Sequence, residues 1–142
     1  MNFLVMLEDD LDRISRFRAI LALHHPAATL DVHRTAPDFI DAYSRLNRVP
    51  DLICLDHDLF TDSPDDPDPG DGRDVAAFLV TREPTTSTLI HSTNAAAADS
   101  MLYSMREHGW NVDRIAPLGE DWIESYWFPT AQEMVAAQDG QR

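Results

Sequence analysis

The sequence predicts an α/β fold: one doubly wound, five-stranded parallel sheet built from the whole chain, residues 1–142. Three observations predict it. Short apolar runs alternate with segments of helical periodicity, as crossover connections between parallel strands require. The central run, Leu52-Ile53-Cys54-Leu55, is apolar without alternation, which marks a strand buried on both faces. Three of the apolar runs also end in ionisable or hydroxyl groups: Glu8-Asp9-Asp10, Asp56-His57-Asp58 and His91-Ser92-Thr93-Asn94. In open α/β sheets, ligands bind outside the carboxyl ends of the strands, where these groups would lie.

Phe3 to Leu7 reads as the first strand. Leu11 to about Leu23 follows with helical spacing, Leu11, Ile14, Phe17 and Leu21 making one apolar face and Asp12, Arg13, Arg16 and Arg18 standing largely off it. His24-His25-Pro26 stops this helix; beside a proline, the imidazoles are expected to meet the last carbonyls rather than a metal. Thr29 to Arg34 alternates, as in a strand near the sheet edge. Pro37 to about Leu46 reads as a second helix with proline in its first turn and Phe39, Ile40, Tyr43 and Leu46 inward.

After the central strand comes an acidic Asp/Pro/Gly loop, residues 60–72. It lacks the alternating ligands and terminal Glu of a calcium loop, so a solvated flap beside the site is expected. Helical spacing resumes from Arg73 to Thr81, with Val75, Phe78 and Leu79 inward, and stops before Pro84. Thr86 to Ile90 is β-prone, Ala95 to about His108 is helical with Gly109 as its cap, and Val112 to about Ala116 is the last strand. Glu120 to about Gln138 reads as a helix broken by Pro129, with Trp122, Ile123, Tyr126, Trp127 and Phe128 on its packing side. No basic residues flank these aromatics, so they read as core rather than as a base-stacking platform.

The net charge is −14, from 25 acids against 11 bases, and every base is an arginine. No basic surface exists to displace counterions, which argues against binding along an extended nucleic acid. A small phosphorylated ligand stays compatible with this charge if a bound metal offsets it. The single Cys54 lies inside the apolar strand and reads as an inert buried thiol. No apolar run approaches a membrane span, and the first residues lack a signal pattern, so a cytoplasmic protein without membrane attachment is expected.

A lone Asp at a strand end is usually a turn cap. Three strand ends bearing acids, imidazoles or hydroxyls at one sheet edge demand more. Clustered carboxylates do not all ionise unless a cation sits among them, and hard oxygen ligands favour Mg²⁺, with Mn²⁺ or Ca²⁺ as alternatives. Nearby imidazoles can join the coordination shell or act as general acid and base.

Glu8-Asp9-Asp10 after the first strand, Asp56 after the third, Asp71-Gly72 beyond it and Ser92 after the fourth resemble the layout of two-component receiver domains. That resemblance implies a flavodoxin-like strand order 2-1-3-4-5, acids that bind Mg²⁺, a phosphoryl-accepting Asp56, and Ser92 contacting the phosphate. One departure is sharp: receivers carry a lysine before the proline after the last strand, whereas here Ala116 precedes Pro117 and the chain holds no lysine. His57 and His91 are additions that receivers do not need. Leu-Glu-Asp-Asp, Leu-Asp-His-Asp-Leu and His-Ser-Thr-Asn together are similar to the receiver-derived family of cyclic-phosphate-processing receiver domains.

That family resemblance implies a metal-dependent phosphoesterase, a phosphoric ester hydrolase opening a cyclic nucleotide or a 2′,3′-cyclic phosphate end. Glu8, Asp9, Asp56 and Asp58 would hold the metal; Asp56, His57 and His91 would be catalytic; Ser92 and Asn94 would bind the substrate phosphate. Two other readings stand beside it: a signalling receiver phosphorylated on Asp56 and engaging a protein partner, and a catalytically silent acidic interaction module.

Overall fold

The computed structural model describes residues 1–141. Five parallel strands, β1 (Phe3–Leu7), β2 (Thr29–His33), β3 (Leu52–Leu55), β4 (Ser87–His91) and β5 (Val112–Ile115), form one sheet in the order β2-β1-β3-β4-β5. The helices are α1 (Leu11–His24), α2 (Ala36–Ser44), α3 (Gly72–Leu79), α4 (Ala95–Glu107) and α5 (Phe128–Asp139), with a π-helical turn, Ile123–Trp127, leading into α5. The expected fold and strand order are the observed ones. No helix among the described residues is long and apolar enough to cross a membrane.

Side chains alternate across a strand, so each strand feeds two cores. Val5, Leu7, Ile53, Leu55 and Ile90 pack against α2, α3 and α4. Leu4, Met6, Leu52, Cys54 and Leu89 pack on the other face, against Phe17 and Leu21 of α1, Trp127 just before α5 and Phe128 at its start. Cys54 is fully buried, and burial pushes its thiol far above the usual range, as expected for an inert side chain.

Four local expectations differ from the structure. Leu11, in the first turn of α1, is exposed, and the buried stripe is carried by Phe17 and Leu21. The imidazoles at the end of α1 turn to α5 instead of to the helix carbonyls. His24 stacks on Phe128 with ring centroids 4.8 Å apart, and His25 Nε2 lies 3.3 Å from Gln132 Nε2. Pro129 does not break the last helix: it sits in the first turn of α5, where a missing N–H costs least. The preceding π turn accommodates it, the Phe128 N–H reaching back to the Ile123 carbonyl while the backbone stays right-handed helical. Tyr126 faces solvent, whereas Trp122, Ile123, Trp127 and Phe128 are core.

The flap ends in a capping box at α3. Asp71 Oδ1 accepts the Asp74 N–H at 3.1 Å, and Asp74 Oδ2 accepts the Asp71 N–H at 3.0 Å. Gly72, the next residue, is pressed against the end of β3. A Cβ there would lie 2.2 Å from the Asp56 carbonyl oxygen and 2.9 Å from His57 Cα, both backbone atoms, and 2.8 Å from Met101 Cε. Gly72→Ala is therefore expected to lose about 2 kcal/mol of stability in urea unfolding, since backbone rather than a flexible side chain must move. A loss within about 0.5 kcal/mol would mean that α3 shifts freely.

Candidate active site

Strand register assembles the site. Leu7 pairs with Leu55, and Leu55 with Ile90. One residue further along each strand stand Glu8, Asp56 and His91, all on the sheet face that carries Met6, Cys54 and Leu89. All three are buried, and each offers one ligand atom such that these atoms lie within 4.8 Å of one another.

The Glu8 carboxylate is the most heavily bonded group of the three. Its Oε2 accepts the N–H groups of Asp9 and Asp10 at 3.0 and 3.1 Å, and its Oε1 lies 3.1 Å from His91 Nε2. Burial works against its charge, but the bond and charge of His91, the Asp10 N–H and Arg13 outweigh burial and hold Glu8 below the usual carboxylate range. Asp56 goes the other way. Burial, and then the charge of Glu8, push its carboxyl well above that range, although Oδ1 accepts the His57 N–H at 2.7 Å and Arg13 is near. The two carboxylates thus cannot both ionise easily without a further positive charge.

His91 is fully enclosed, its ring packed on Phe17 at 5.1 Å and on Trp122 at 5.9 Å, centroid to centroid. Its Nδ1 is buried with no hydrogen-bond partner among the described residues. His57 lies on the opposite side, where Nδ1 is 2.8 Å from Asp58 Oδ1 and Nε2 is 3.6 Å from Asp71 Oδ2. The two histidines therefore do not meet: one backs Glu8, the other orients Asp58 beneath the flap.

A cavity of about 660 Å³ opens in front of Asp56, walled by Asp9, Asp58, Arg13, Arg34, Phe60 and Thr93 among others. Asp9 and Asp58 thus reach the cavity without joining the buried trio. Asp9 Oδ2 is taken by the Phe60 N–H at 2.6 Å, and burial followed by the charge of Glu8 raises its pKa despite that bond. Ser92 and Asn94 are engaged in capping: Ser92 Oγ accepts the Asn94 N–H at 3.1 Å, and Asn94 Oδ1 accepts the Ala97 N–H at 3.1 Å. They shape the start of α4 beside Thr93.

Sequence reasoning missed Arg13, Arg34, Phe60 and Thr93. Arg34 ties three segments together, donating to the Asp9 carbonyl at 3.1 Å and to both Asp62 oxygens at 3.2 Å. Its position just past the second strand was a usable signal. For Arg13, helical spacing pointed off the apolar face, and only the fold shows it near Glu8 and Asp56.

The two carboxylate oxygens suit Mg²⁺ or Mn²⁺, with the imidazole nitrogen a further donor within the same small span. A divalent ion there would also let Asp56 ionise, so the residues fit the metal.

The comparisons with known proteins agree with this fold. A family model described as "Cyclic-phosphate processing Receiver domain" matches residues 4–107. The chain is similar in structure to the receiver domain of a Francisella response regulator, at TM-score 0.70 and 13% identity over 97% of this chain and 99% of that one. A putative LuxO repressor receiver from Vibrio parahaemolyticus matches at TM-score 0.64 and 17% identity, over 97% and 95%. The receiver of a Pseudomonas aeruginosa sensor histidine kinase, which has a magnesium ion coordinated in its active-site cleft, matches at TM-score 0.63 and 15% identity, over 95% and 98%. These likenesses establish the fold. No curated protein matches the sequence.

Proposed function

The chain belongs to the family of cyclic-phosphate processing receiver domains, and from that premise we propose that it is a metal-dependent phosphoesterase that opens a cyclic phosphate diester. The observation that carries the reading is the in-register trio of Glu8, Asp56 and His91, with ligand atoms within 4.8 Å, of which Asp56 lines a cavity of about 660 Å³.

Glu8 and Asp56 would hold the divalent ion, with His91 as third donor or as the partner that fixes Glu8, and Asp9 and Asp58 at the cavity wall reaching it directly or through water. When bound, the ion polarises a phosphoryl oxygen and acidifies a water. Asp58, oriented by His57 at 2.8 Å, would take a proton from the attacking water. The water oxygen bonds to phosphorus, one ring P–O bond breaks, and the released oxygen takes up a proton, so one water is consumed per monoester formed. Thr93 and the start of α4, shaped by Ser92 and Asn94, would donate to the phosphoryl oxygens. The buried position of His91 favours metal holding over proton transfer for that residue; His57 acts through Asp58.

The test is ³¹P NMR of the protein with Mg²⁺ or Mn²⁺ and a panel of cyclic nucleotides, with Asp56→Asn, Asp58→Asn and His91→Ala alongside. The wild type is expected to convert a cyclic diester to a monoester, with turnover in each variant reduced on the order of 100-fold or more. Intact diester in every sample would end the proposal for these substrates.

A second reading is favoured by one observation: Asp56 stands at the end of β3 in a receiver fold, where a signalling receiver would accept a phosphoryl group. Acetyl phosphate in place of the diesters separates the two, since that reading requires a phosphorylated Asp56 and no hydrolysis of diesters.

A further inference from the structure

We infer that Arg13 is the resident counter-cation of the carboxylate pair, and that it grips the phosphoryl group once a divalent ion takes over the carboxylates. The inference rests on the metal-dependent reading above.

Arg13 Nη1 lies 3.8 Å from Glu8 Oε1 and 3.7 Å from Asp56 Oδ2, so a single guanidinium serves both acids. Both separations exceed hydrogen-bond range, and what positions the group is the face of Trp122, with Cζ 5.3 Å from the ring centroid. Other arginines nearby are committed. Arg16 donates to the Glu120 carbonyl at 2.6 Å and to Glu124 at 3.1 Å, and Arg34 to the Asp9 carbonyl and Asp62. Arg13 is the cavity-wall arginine whose fork is held by charge and ring contact alone, and its side chain is 26% exposed.

Its backbone is fixed, because the Arg13 N–H donates to the Asp10 carboxylate at 3.0 Å as part of the α1 cap. Only the side chain is left to move. A guanidinium cannot lose its proton to make room, so a second cation at the same oxygens must displace it by repulsion. The negative charge that then enters the cavity is the phosphoryl group, whose oxygens match the planar fork of an arginine. The chain has no lysine anywhere, so a side-chain cation for this group has to come from arginine.

Calorimetry and intrinsic tryptophan fluorescence, which Trp122 makes sensitive to the site, test both halves on the full chain. Mg²⁺ is titrated alone, and inorganic phosphate is titrated at saturating Mg²⁺, for wild type, Arg13→Gln and Arg13→Lys. Arg13→Gln is expected to bind Mg²⁺ roughly 3- to 10-fold more tightly, because a competing cation is gone. It is expected to bind phosphate about 10-fold more weakly. Arg13→Lys keeps the charge without the fork, so its Mg²⁺ affinity stays near wild type while phosphate binding still drops several-fold. It carries the test if the glutamine variant does not fold. Unchanged or weaker Mg²⁺ binding by Arg13→Gln overturns the counter-cation role, and unchanged phosphate binding in both variants overturns the grip. A wild type that takes up no divalent ion removes the metal-dependent reading together with this inference, whereas a metal-binding wild type with indifferent variants removes this inference alone.

Discussion

Asp56→Asn is expected to melt at a higher temperature than wild type in the presence of a chelator, while losing metal affinity on the order of 100-fold. The Asp56 carboxyl is buried beside Glu8, and both effects raise its pKa above the unfolded value. Between the ordinary carboxylate range and that raised value, the folded chain keeps a proton that the unfolded chain releases. Stability therefore falls as pH rises through this window. Asparagine has no proton to lose, so the variant escapes the penalty. Its advantage is expected to grow with pH and to reach about 1–3 kcal/mol at neutral to mildly alkaline pH. The same linkage requires the wild type to release about one more proton per metal ion bound in that window than the variant does. Thermal melts in chelator across pH, with calorimetry in two buffers of different ionisation enthalpy, check both. A variant less stable than wild type at every pH would falsify this account of Asp56.

Glu8→Gln is expected to have the opposite effect on stability. The wild-type carboxylate accepts two backbone N–H groups and faces His91, and its pKa is held below the unfolded value. A depressed pKa contributes stability that is present above the unfolded carboxylate range and lost as pH falls through the folded value. Replacing the carboxylate leaves a buried imidazole without its charged partner, at a cost of about 3 kcal/mol at neutral pH. The gap between variant and wild type is expected to narrow as the solution is acidified, because the wild type then loses the same interaction. Urea unfolding at neutral and acid pH measures it. Equal gaps at both would show that Glu8 contributes through shape rather than charge. Metal binding is expected to be lost as well, so the two substitutions share a phenotype with metal and diverge without it.

Much of the fold was legible because the strands are buried on both faces. Leu4 to Leu7 and Leu52 to Leu55 could be read as strands from apolar character alone. Acids at the strand ends pointed to the edge of the candidate site for the same reason: nothing in a buried strand requires Asp-His-Asp to follow it. What local pattern could not supply was register. Asp56 and His57 are neighbours in sequence, and only the alignment of Leu55 with Leu7 and Ile90 puts Asp56 beside Glu8 and sends His57 toward Asp71. Arg13 and Leu11 escaped for a related reason. Helical periodicity assigns a face to each residue, but whether a first turn covers the sheet or overhangs its edge is a tertiary matter. Pro129 misled because a proline in a helical pattern marks either an interruption or a start, and the widened turn before it selects the second.

The in-register trio also ties the site to the order in which the chain can fold. Glu8 and His91 are separated by 83 positions, with Asp56 on the strand between theirs. No fragment ending before β4 can present the third donor atom, and no local hairpin can rehearse the arrangement. Closing so distant a contact costs more chain entropy than pairing β1 with β3 alone. An ion that binds only the completed trio acts on the equilibrium after that step, favouring the finished sheet by mass action and leaving partly paired chains without its help. Occupancy of the site is then also a report that the chain has reached its final topology.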